Sequence, residues 1–287
     1  MTTIINGSSP SITFSDGSAQ TSATRPFQNR IINGGMSIWQ RGTSSSSIGY
    51  QTVDRWSFYA DSSRTVSRST DVPTGFQYST SLSGTGSTGL TQKIESINCY
   101  GIAGNSITIS FYLKQTTGAG SNAIGLNLYY ANAADDWSAS TQISTTQNFT
   151  TTSGWAQYSA TFSNMPANSV NGLQVTIVTN SGSAVVFLLT GVQLEVGSTA
   201  TSFDYRPYGT EFMLCQRYFQ KHLGDLYSSY GATINYINWL YKVTMRATPT
   251  ITGSTGTSLV ITVDAATNYS SGAAYSYFVN PTASAEL

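Results

Sequence analysis

In the run SITISFYLK, the large apolar residues Ile107, Ile109, Phe111 and Leu113 fall at every second position. Successive side chains of a strand point to opposite faces, so this spacing gathers the four on one sheet face; a helix would scatter them. Leu173, Val175 and Ile177 repeat the pattern. Segments 55–60, 123–131, 155–162 and 184–196 have the same character, and clusters of Gly, Asn and Ser separate them. Many short strands without helical periodicity between them predict an all-β chain. Residues 31–208 are expected to form an antiparallel β-sandwich of jelly-roll type.

One segment breaks the alternation. From 210 to about 222, Phe212, Cys215, Tyr218, Phe219 and His222 share one helical face. Thr210 can cap the start and Glu211 suits its positive end. Lys221 and His222 suit the negative end, and Gly224 follows it. The spacing predicts one short helix within a connecting segment, 209–225. Residues 226–287 return to alternation, with Ile237, Trp239, Tyr241 and Val243 on one face. So short a segment is marginal as an independent domain. It is expected to be a small C-terminal β-unit packed on the sandwich or on copies of itself. Residues 1–30 are polar and turn-rich. A short β-like piece, Ile12 to Phe14, precedes Asp16-Gly17, a hairpin signal. This segment reads either as a tail without fixed structure or as an arm that orders against a partner.

Charge narrows the partners. Only 9% of the 287 residues are charged, thirteen basic against thirteen acidic, where about 25% is usual. Such a surface offers no electrostatic footprint for nucleic acid or anionic lipid. Near-zero net charge favours association, which suits an oligomer. The N-terminus lacks the basic and apolar regions of a secretory signal, and no apolar run is long enough for a transmembrane helix, so no membrane insertion is expected. Cys99 and Cys215 then read as free buried thiols.

The residues that could carry chemistry are sparse. Gly84, Gly86 and Gly89 match G-x-G-x-x-G, but no βαβ unit surrounds them, so the segment reads as a loop. His222 is the lone histidine and reads as a packing or capping group, since no nucleophile elbow accompanies it. No Cys/His cluster suggests zinc. Structural calcium would suit a jelly roll, although no carboxylate spacing singles out a site. Asp135 and Asp136 are adjacent and read as turn residues rather than a glycosidase pair. We therefore expect no catalytic residues, no metal ligands and no cofactor. Aromatic residues reach 12%. Tyr129, Tyr130, Trp137 and Trp155 surround the 132–138 loop and the next strand, and such rings stack on sugar faces. They are the candidate ligand-binding residues. Tyr129 and Tyr130 are neighbours in a strand, so one of them must face outward.

Longer motifs add a resemblance. GVQLEVGSTATSFDYRPYGTEFMLCQRYFQK (191–221) resembles a signature of bacteriophage tail-fibre and related virion appendage proteins, in which the last sandwich strand leads through Y-R-P into an L-C-Q-R-Y-like helix. NRIINGGMSIWQRG (29–42) and TVDRWSFY (52–59) are similar to the opening of the same proteins, and KVTMRATPTIT (242–252) and ASAEL (283–287) to their C-terminal unit. ITFSDGSAQTSA (12–23) looks like a segment near fibre N-termini. The resemblance implies a virion structural protein with a jelly-roll domain similar to carbohydrate-binding modules. It implies a homotrimer that displays a surface for host polysaccharide, localised to the virion after synthesis in host cytoplasm. Ile12, Phe14, Asp16 and Gly17 would then belong to an arm that attaches to other virion proteins. Two other readings stand beside it: a purely structural head-decoration, head-fibre or tail-connector protein docked through that arm, and a capsule depolymerase.

Overall fold

The computed structural model describes residues 4–6, 11–13, 19–20, 27–117, 124–179, 184–227, 234–255, 258–271 and 277–287. Strands β1 (Ile4–Asn6), β2 (Ser11–Thr13) and β3 (Ala19–Gln20) form a small antiparallel sheet. Ile12 lies in β2, opposite Gln20. Phe14, Asp16 and Gly17 lie outside the described residues.

The sandwich contains β4 (Ser44–Ser45), β5 (Ser57–Ser69), β6 (Ser79–Ile94), β7 (Ile107–Thr117), β8 (Ile124–Ala133), β9 (Asp136–Gln142), β10 (Gln147–Phe149), β11 (Ala156–Phe162), β12 (Leu173–Thr179) and β13 (Ala184–Val196). All pairings are antiparallel. β5 and β6 are long enough to run through both layers. The first half of β6 pairs with β13, which continues through β7 to β11. Its second half pairs with β12, which continues to β8 and then to β9 and β10. The sheet thus folds over on itself, and the alternating residues meet between the layers. Ile109, Phe111, Leu113 and Phe187 face Leu90, Leu126, Leu128 and Ile177 in one core with Trp56 and Phe58. Each such side chain contributes about 1.5–3 kcal/mol when fully buried.

β6 corrects the reading of 84–89 as a loop, because these residues lie in strand where β6 passes between layers. Gly89 lets the β12 backbone approach: a Cβ there would sit 2.3 Å from the Ile177 carbonyl oxygen. Gly86 takes φ +83° beside a register irregularity between β5 and β6. Close approach and bulging, not phosphate binding, require these glycines.

The helix α1 spans Tyr208–Gln216, so it starts before Thr210 and ends six residues short of His222. Its N-cap is Pro207, without a side-chain cap, while Glu211 does lie in the first turn. Tertiary contacts stop it. The Tyr218 ring lies 3.4 Å from the Arg55 guanidinium carbon, and its hydroxyl donates to Glu95 at 2.9 Å. Phe219 then opens β14 (Phe219–Lys221), which pairs with the last strand. The burial of Tyr218 and this pairing outweigh the helical periodicity. His222 therefore follows a strand rather than ending the helix.

The C-terminal β-unit holds β15 (Leu226–Tyr227), β16 (Ile234–Leu240), β17 (Thr250–Thr255), β18 (Ser258–Ile261), β19 (Ala265–Ser271) and β20 (Tyr277–Ser284). β20 pairs with β14 and β15 on one edge and β17 on the other; β19 lies between β16 and β18. Trp239, Met245, Ala266 and Phe278 share its core. Charged groups tie the unit to the sandwich. Glu95 accepts from Arg246 Nε at 2.9 Å and Arg217 Nη2 at 3.0 Å, and Glu286 pairs with Arg41 at 2.9 Å and with Arg55. Burial alone would raise the Glu95 carboxyl, but hydrogen bonds from Arg217 and Tyr218 and the Arg217 charge hold it below the usual range. Cys99 and Cys215 are both free and buried.

Candidate functional site

Four clefts that share walls run from the outer face of the β11–β7–β13 layer, past α1, to β16. The first, of about 350 Å³, lies among Tyr112, Gln157, Thr201 and Ser202. Phe76, Phe203 and Tyr205 separate it from a second of about 190 Å³. Tyr208, Gln77 and Ser37 belong to that one and to a third of about 350 Å³. Gln40 and Phe212 lead from the third to a fourth of about 630 Å³. The clefts form one groove in which aromatic rings recur between amides and hydroxyls.

Local sequence explains the rings. Tyr112 and Gln157 are cross-strand partners on the outer face. At Gly191 the β13 ladder bulges and φ is +63°; a Cβ there would sit 2.6 Å from Phe76 Cζ and 2.8 Å from Tyr112 Cδ2. Gly75, with φ +95°, leaves similar room under the Tyr205 hydroxyl. Gly191 thus makes room for Phe76 over the sheet and Gly75 for Tyr205. Its ring centroid is 5.4 Å from Tyr112, 5.1 Å from Phe203 and 5.5 Å from Tyr205. Tyr205 is 57% and Tyr208 62% exposed, so both offer ring surface to a ligand. Glu211 is the lone carboxylate lining the groove among the described residues. Both of its oxygens are 3.1 Å from Arg206 Nη1, and one accepts the Asn33 amide.

The structure divides the four expected ligand-binding aromatics. Trp155 stands beside the groove layer, where its Nε1 donates to Asp71 at 2.8 Å and Asp71 pairs with Lys114 at 2.7 Å. Hydrogen bonds from Lys114 and Trp155 hold the Asp71 carboxyl below its usual range. Tyr129 and Trp137 belong to the opposite layer. Tyr129 lies opposite Gln174, and Gln174 opposite Lys93, whose amine is 5.1 Å from the Trp137 ring. Tyr130 packs on the core, leaving Tyr129 as the outward member of the pair. The groove aromatics Phe76, Tyr112, Phe203, Tyr205 and Tyr208 were not singled out from sequence. The FDYRPY run carried a signal in its aromatic density, but Phe76 and Tyr112 join it only through the fold. Among the described residues no three His, Cys, Asp or Glu side chains cluster as metal ligands.

No protein-family model matches the chain, and no curated protein sequence matches it. Among solved structures, a chain containing the enzymatically active domain of tailspike protein 4 from bacteriophage CBA120 is similar over 60% of this chain and 22% of its own, at 16% identity and a TM-score of 0.44. The present chain therefore spans less than a quarter of that one. The xylan-binding CBM22-1 domain of Paenibacillus barcinonensis Xyn10C is similar over 55% of this chain and 94% of its own, at 15% identity and a TM-score of 0.36. A CBM4 structure is similar over 57% and 98%, at 16% identity and a TM-score of 0.40. The assignment of the sandwich rests on its own strand pairing.

Proposed function

We propose that the protein is a phage virion appendage protein that binds a host-surface polysaccharide in this groove without cleaving it. The groove carries the reading. It is open, long and rich in rings, and its amides and hydroxyls suit the hydroxyl pattern of a glycan, whose apolar ring faces stack on tyrosines. The motifs at 29–42, 52–59 and 191–221 supply the virion context. Glycoside hydrolysis uses two carboxyl groups about 5–9.5 Å apart across the scissile bond. The groove's Glu211 is instead held by Arg206 and Asn33, which supports a non-catalytic role. In this reading the chain is a homotrimer and an arm within residues 1–30 attaches it to other virion proteins; at the end of that segment Asn29 and Arg30 hydrogen-bond to the sandwich at Val192 and Leu194.

A panel of bacterial surface polysaccharides tests the proposal. Wild-type protein is expected to bind at least one, and the double variant Phe76→Ala/Tyr205→Ala to lose it while remaining folded by circular dichroism. A chain lacking residues 1–26 should bind as wild type. Release of reducing ends from the bound polysaccharide would contradict the non-catalytic reading. A protein that ignores every glycan but decorates particles through its arm would favour the purely structural role.

A further inference from the structure

The fourth cleft carries two cations where the third carries one, Arg68. Lys221 and Lys242 both line the fourth, no Asp or Glu does, and neither lysine forms an ion pair among the described residues. The carboxylate beneath it, Asp54, is 1% exposed and is covered by Gln40 and paired with Arg41 at 3.4 Å, so it does not present its charge to the cleft. Gln216 also lines the cleft. Its side-chain amide makes no hydrogen bond among the described residues, and its polar atoms stay open to solvent, so the cleft presents them to a ligand's polar group. Leu240, 69% exposed, adds an apolar surface at the rim. Two ammonium groups without an ion pair, a solvent-open amide and an apolar rim are complementary to one chemistry: a ring with a C–H face, hydroxyls and a carboxylate.

We propose that this cleft takes a carboxylate-bearing sugar unit, a uronate or a similar acid, of the polysaccharide that occupies the groove. The inference rests on the glycan-binding reading above and adds that its ligand is acidic. The lysines attract the carboxylate, Gln216 bonds a hydroxyl, and Leu240 covers the C–H face.

Calorimetry on the full chain tests it, with tri-galacturonate and its fully methyl-esterified, uncharged counterpart as probes. The acid is expected to bind about tenfold more tightly than the ester at low salt. That preference should shrink toward about 1 M salt, where screening acts over some 3 Å. The variant Lys221→Gln/Lys242→Gln should abolish the preference while remaining folded by circular dichroism. Equal affinity for acid and ester, or an unchanged preference in the double variant, overturns the proposal. If neither probe binds while a neutral polysaccharide binds the wild type, the acidic cleft falls and the glycan groove stands. If no glycan of any charge binds, both fall.

Discussion

Replacing Glu95 with Gln keeps its shape and removes the charge that joins the C-terminal unit to the sandwich. The Glu95 side chain is 4% exposed, Arg246 15% and Arg217 37%. Breaking a buried ion pair from one side costs about 3–5 kcal/mol, because the other charge stays buried. The Arg217 leg is more than a third exposed and contributes about 0.5 kcal/mol after screening. Gln can still accept from Tyr218, so the lower end, about 3 kcal/mol, is expected. For a chain of this size that lowers Tm by roughly 6–12 °C. The Glu95 carboxyl lies below its unfolded value, so its stabilisation is present above the unfolded pKa and is lost as pH falls through the folded one. Glu95→Gln should not show that acid dependence. Thermal melts across pH, with hydrogen exchange of β14 and β20 amides, read both effects. A cycle with Arg246→Gln should give a coupling of about 1–3 kcal/mol. Additive losses, or a Tm change under about 2 °C, would refute the reasoning that this carboxylate holds the joint.

Gly191→Ala should cost about 2–4 kcal/mol by urea denaturation, combining left-handed backbone strain with crowding of Phe76 and Tyr112; a loss under about 1 kcal/mol would contradict the packing described. Burial pushes the Asp54 carboxyl up to about 6, with Arg41 opposing. A raised carboxyl stabilises below its unfolded pKa of about 3.9 and loses that stability as pH rises through the folded value. Between these values wild type should lose up to about 3 kcal/mol relative to Asp54→Asn; parallel stability curves would contradict the shift. Light scattering should give three times the chain mass in solution, and a monomer at all concentrations would remove the trimer.

The strands with alternating apolar residues were legible because burial on one face leaves a period of two in the sequence. β6 was not. Its STSLSGTGSTGLTQKI run has few large side chains, since it crosses between layers where close approach demands glycine and small residues. The helix was placed but drawn too long, because Tyr218 and Phe219 keep helical spacing while packing on Arg55 and pairing with β20. The groove was the least legible. Phe76, Tyr112 and Tyr205 are far apart in sequence, and only the Gly191 bulge and the 70–78 loop bring them together. Trp155 was recognisable as a candidate ligand-binding aromatic, but its neighbours Asp71 and Lys114 were not.

The most direct measurement is a crystal structure of the protein with an oligosaccharide selected from the polysaccharide panel. The sugar is expected along the groove between Tyr112 and Phe212, stacked on Tyr205 or Tyr208, with an acidic unit near Lys221 and Lys242. Sugar bound instead on the opposite layer, at Tyr129 and Trp137, with the groove empty, would contradict the account.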